Sequence, residues 1–139
     1  MNKQFIKDGV GWGIGLWLIG YVLGIVLFAV VSPNIIGWVI MPIGLIITLW
    51  VLFKKVHPAK FMPQQNATES QFGGVKGATF RYFLSLAVVW TLIAIVFDYF
   101  FLVKVFNPAD GYYKLDVYIY YVLTFLLPLF VGWRRLSHE

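Results

Sequence analysis

The chain has 139 residues, 60% of them hydrophobic and only 12% charged, with a mean hydropathy of +0.80 and a formal net charge of +5. Soluble domains run near half apolar and a quarter charged, and a fold this small hides the smallest share of its surface. Composition therefore excludes a soluble enzyme, a disordered chain and a nucleic-acid-binding domain. The absence of cysteine excludes disulfides, thiol nucleophiles and cysteine metal sites.

The first apolar run covers 10–31 and carries no charge; Ser32-Pro33-Asn34 breaks it. Lys3 and Lys7 make its start resemble a signal peptide. The run is longer than a signal's apolar stretch, however, and no small-residue cleavage site follows, so it is expected to be retained. The second run covers 35–53 and is closed by Lys54-Lys55. The third covers 82–103, after Arg81, with one interruption at Asp98. The fourth covers 117–133 and ends at Arg134-Arg135. About 20 helical residues cross a hydrocarbon core of about 30 Å, so each run is long enough to span, the fourth only just. Lipid offers the backbone no hydrogen-bond partner, and none of the runs alternates as barrel strands do, so all four are expected to be helical.

Lys and Arg are distributed unevenly. Lys3, Lys7, Lys54, Lys55, Lys60, Lys76, Arg81, Arg134 and Arg135 fall on one side of the runs, and only Lys104 and Lys114 on the other. That bias predicts both termini and the loop 54–81 in the cytoplasm. The loop's Asn66-Ala67-Thr68 fits a glycosylation sequon, but on this orientation it never reaches a lumen. Trp12, Trp17, Trp38, Trp50, Trp133 and the cluster Tyr112, Tyr113, Tyr118, Tyr120, Tyr121 lie near the run ends, where an interfacial aromatic belt is expected.

Helices in lipid associate through close packing at small residues and through hydrogen bonds. The first run carries Gly9, Gly13, Gly20 and Gly24 on one face and Gly11 and Gly15 on roughly the opposite one. The second carries Gly37, Met41, Gly44 and Thr48, with Pro42 between them; the third Ala87, Thr91, Ala94 and Asp98; the fourth Asp116, Tyr120 and Thr124, then Pro128. These spacings of three, four and seven predict one seam per helix, with Gly13, Gly20, Gly24, Gly37 and Gly44 as helix-packing positions.

Asp98 is the one acid inside a run. Carboxylates in membrane helices face the interior and pair, so Asp98 is expected near Tyr120, Tyr121 and Thr124 of the antiparallel fourth helix, with Lys104 or Lys114 as a further partner. It is read either as a structural hydrogen-bond site or as a proton, cation or substrate site. His57 and His138 lie in polar segments, and Asp110, Lys114 and Asp116 read as a hydrated turn with Gly111. No metal-ligand, nucleophile or phosphate-loop spacing is present, so no catalytic residue, metal or cofactor is expected.

Gly73-Gly74-Val75-Lys76-Gly77-Ala78-Thr79-Phe80-Arg81-Tyr82 resembles the GGxxGAxxRY opening of small fluoride channels over ten residues. In that family the motif opens the first helix, whereas here it precedes the third, and the family's later asparagine and Thr/Ser/Phe-rich break have no counterpart. No residue role carries over.

The sequence thus predicts an all-α, polytopic four-transmembrane-helix bundle in a single domain, 1–139, with both ends cytoplasmic in the inner or plasma membrane. It predicts a non-enzymatic packing or accessory protein, as a homo-oligomer or within a larger membrane complex, with lipid as its surroundings and no nucleic-acid partner. The alternative is a small ion- or proton-coupled transporter or channel that uses Asp98.

Overall fold

The computed structural model describes residues 3–57, 74–109 and 111–138. The described residues are helical apart from the connections, and four helices are long and apolar enough to cross a membrane. We label them α1 (Lys3–Phe28), α2 (Ile36–Lys54), α3 (74–106) and α4 (Leu115–His138).

Three of the helices outrun their charge-free stretches. Helix α1 begins at Lys3, α3 takes in residues from 74 that were assigned to the loop, and α4 continues to His138. Absence of charge marks what lipid tolerates, whereas Gln4, Lys7 and Arg134 are all compatible with a helical backbone once their polar groups reach water or a partner. The glycosylation sequon and Lys60 lie outside the described residues.

The ends have local causes. Helix α1 stops at Phe28, and the Val31 N–H bonds the Leu27 carbonyl in the closing turn. Pro33 then disfavours helix at Ser32. Helix α3 closes at Asn107, which adopts a left-handed φ of 42° and donates its N–H to the Leu102 carbonyl. Asparagine tolerates that conformation, and Pro108 prevents a return to helix. Carbonyls at the end of α2 and just beyond it are bonded by a side chain from another helix. The Arg135 guanidinium donates to the carbonyls of Leu52 (2.9 Å), Phe53 (3.1 Å) and Val56 (2.9 Å) while lying over the Phe83 ring. From the sequence alone Arg135 reads only as a topology signal.

The helices close into a ring in which α1 packs on α2 and α3, and α4 packs on α3 and α2. Asp8 meets Tyr82 and Arg135 meets Val56 at one end, while Phe28 meets Phe106 and Lys114 meets Asn34 at the other. So α1 runs parallel to α3, α2 runs parallel to α4, and both chain ends share one end of the ring. That end is tightly packed. Val51, Leu52, Val56, Tyr82, Phe83, Leu86, Trp90 and Val131 form its core. The approach there is close enough to need glycine: a Cβ on Gly132 would come within 2.8 Å of Phe83 Cβ, and one on Gly13 within 3.0 Å of Trp90.

Not all the seam glycines serve that purpose. Gly37 lies directly under the Asp116 side chain, and Gly24 has room for an ordinary contact with Ile40. A Cβ on Gly20 or Gly44 would meet nothing within 4 Å, so within this chain these two make no close helix contact. Gly132→Leu is therefore expected to lower stability in detergent by about 1–3 kcal/mol through overpacking against Phe83. Gly44→Leu is expected to leave the melting temperature nearly unchanged, and the two thermal unfolding curves decide the point.

Candidate functional site

Two buried carboxyl groups join α1 to α3, one near each end of their shared seam. Asp8 of α1 is 1% exposed and Asp98 of α3 is 3% exposed. Both lie in stretches where the helix widens to π geometry, Lys7–Gly11 and Asp98–Phe106. Such local widening shifts the side-chain register and recurs at functional positions.

Asp98 accepts three hydrogen bonds from three different elements. Trp17 Nε1 of α1 donates to Oδ1 at 2.7 Å, Tyr112 of the α3–α4 connection donates to Oδ2 at 2.7 Å, and Tyr121 of α4 donates to Oδ2 at 2.8 Å. Burial, and then the adjoining Asp98 carboxylate, push the Tyr112 phenol well above its usual value, so it remains a donor. The indole of Trp17 is fixed by its neighbours. It stacks on Tyr21 with centroids 5.0 Å apart, meets Phe97 edge-on at 5.0 Å and lies 5.2 Å from Phe101.

Of the predicted partners, Tyr121 is bonded to Asp98. Thr124 instead turns its hydroxyl to the Tyr120 carbonyl, 2.9 Å away within α4, and so keeps to its own helix. Lys104 lies over the Tyr99 ring, and Lys114 reaches Asn34 Oδ1 at 3.5 Å, so the partners that bond Asp98 here are three neutral donors.

The aromatic belt divides in the same way. Trp38, Trp50, Trp133, Tyr113 and Tyr118 point outward, whereas Trp17 is 7% exposed and belongs to the interior. Trp17 fills the gap of seven between Gly13 and Gly20, giving 13, 17, 20 and 24 the same 4-3-4 spacing as the second and third seams. That was the sequence signal for it.

The second carboxyl, Asp8, lies two residues before the first apolar run and was not singled out from the sequence. Gln4 Nε2 donates to its two oxygens at 2.9 and 3.0 Å, and the Tyr82 hydroxyl donates to Oδ2 at 2.5 Å. Trp90 Nε1 donates to the Asp8 backbone carbonyl at 3.0 Å. A tryptophan of each helix thus bonds the aspartate residue of the other.

Inside the ring, towards the Asp98 end, lies a cavity of about 270 Å³. All four predicted seams line it: Gly20 and Gly24 from α1, Met41, Gly44 and Thr48 from α2, Ala94 and Asp98 from α3, and Asp116, Tyr120 and Thr124 from α4. Glycines on the inner faces of α1 and α2 and Ala94 on α3 leave space there, opposite the larger Tyr120 and Leu123 of α4. Asp116, read as part of a hydrated turn, is instead buried against Gly37. Among the described residues, no three His, Asp or Glu side chains converge in a way that could hold a metal ion.

No protein-family model, curated protein or solved structure matches this chain.

If the three bonds to Asp98 act as a clamp, Tyr121→Phe should cost about 1 kcal/mol or more of stability in detergent. Tyr120→Phe leaves all three bonds in place and should cost measurably less. Equal losses in chemical unfolding would mean that the phenol–carboxyl bond contributes nothing.

Proposed function

We propose that this protein is a multi-pass protein of the cell membrane, with both termini cytoplasmic, and that its role is non-enzymatic: a small packing or accessory subunit. The observation that carries this reading is that Asp98 accepts from three neutral donors, of α1, the α3–α4 connection and α4. A carboxyl held in that way ties elements together, whereas an acid–base catalyst needs a second converging group and a free approach for substrate. The orientation rests on the end of the ring that carries Lys54, Lys55, Arg81, Arg134 and Arg135. Gly11 and Gly15, whose inserted Cβ atoms would meet nothing within 4 Å, give α1 a smooth face for a second copy.

One observation favours a second reading, a proton- or ion-coupled transporter or channel: Asp98 borders the cavity that all four helices line. Flux separates the two. In proteoliposomes under an imposed pH gradient, the accessory reading expects no proton or cation flux above that of empty vesicles. A flux that Asp98→Asn abolishes, in a variant that still folds, would replace it with the transporter.

The orientation can be tested directly because the chain has no cysteine. Tyr113→Cys should react with a membrane-impermeant thiol reagent added to intact cells, and Ser137→Cys only after permeabilisation. The reverse pattern would invert the protein in the membrane.

A further inference from the structure

We infer that the cavity inside the ring is a binding site for a hydrophobic organic cation, an amine or quaternary ammonium with an apolar body, and that Asp116 receives its charge. The inference goes beyond an accessory role and does not depend on whether Asp98 moves protons.

The starting point is an unpartnered carboxyl. Asp116 is 9% exposed, borders the cavity and sits over the Gly37 backbone, where any larger residue would collide with it. Among the described residues its side chain accepts no hydrogen bond and forms no ion pair, whereas Asp8 and Asp98 each accept from several donors. Burial of a carboxyl without a partner is unfavourable, so a group that supplies positive charge there is favoured.

The walls define what else the occupant must be. The cavity's charged lining consists of Asp98, Asp116 and Lys114, an excess of one carboxyl, and the Lys114 ammonium is directed at Asn34. Most of the remaining lining is aliphatic or glycine, and Trp17, Trp90, Tyr112 and Tyr120 add aromatic rings to it. Rings of this kind attract a weakly hydrated cation. A bare metal ion would need several more oxygen ligands than Asp116 offers, and a neutral hydrocarbon chain would leave the carboxyl without a partner. The glycines explain the room: at Gly20 and Gly44 the α1 and α2 backbones themselves form the wall. The apolar body lies along these glycines and the charge lies towards Asp116.

The test uses the full chain in detergent or nanodiscs with benzyltrimethylammonium as the probe, read by equilibrium binding and by tryptophan fluorescence, since Trp17 and Trp90 line the cavity. Saturable binding is expected, and the uncharged isostere neopentylbenzene should compete poorly. Asp116→Asn should weaken binding about tenfold or more. Gly44→Leu, which grows into open space, should abolish it while the melting curve is retained. Absence of saturable binding would overturn the site, meaning that water alone serves Asp116. Equal competition by the neutral isostere would overturn the role of charge. If Asp116→Asn does not fold, undiminished affinity in Gly44→Leu overturns the cavity as the location. None of these results bears on flux through Asp98 or on orientation, so the site and the functional reading fail independently.

Discussion

A carboxyl group inside an apolar helix ring must find donors, and in this protein that requirement fixes how α1 lies against α3. Trp17 of α1 reaches across to Asp98, and Trp90 of α3 reaches back to the Asp8 carbonyl. Dispersion between apolar faces does little to distinguish one helical register from another, because Leu, Ile and Val side chains are nearly interchangeable in lipid. Directional bonds at both ends of a seam do distinguish them. A slide of one turn, about 5.4 Å, would break both pairs together and leave polar groups facing hydrocarbon.

The two ends of the ring solve different problems. At the chain-terminal end Phe83, Leu52, Leu86 and Val131 are fully enclosed, Gly132 lets α4 approach α3, and Arg135 bonds carbonyls at the end of α2 and just beyond it. At the other end glycines of α1 and α2 and Ala94 of α3 face inward and the interior stays open. One end is thus closely packed and the other encloses space. The π-helical stretch at Asp98 lies on the cavity side of that division.

The existence, number and order of the helices were legible because about 20 uncharged residues in a row have few alternatives to a helix. Their boundaries were less so: Lys3, Gln4 and Lys7 look like a polar tail, whereas in the fold Gln4, Tyr82 and Trp90 all bond Asp8 within or against that segment of helix. The seams were legible as spacing, but spacing does not say whether small residues meet a neighbour, as Gly13 and Gly37 do, or face a void, as Gly20 and Gly44 do. Asp98 and Tyr121 were found because an acid within a span demands a donor. Trp17 was hidden by its nearness to the run's end, where tryptophan has an interfacial role of its own. Asp116 fell on the fourth seam by spacing but also read as a hydrated turn, because an acid in the first turn of a helix is favoured whether or not it is buried.

The most direct measure of the central claim is a double-mutant cycle on Trp17 and Asp98. Trp17→Phe, Asp98→Asn and the double variant would be unfolded alongside the wild type in the same detergent. The account predicts a coupling free energy of about 0.6–1.7 kcal/mol, so that the second substitution costs much less once the first is present. Strictly additive losses would mean that the indole and the carboxyl do not depend on each other, and that something other than this pair sets α1 against α3.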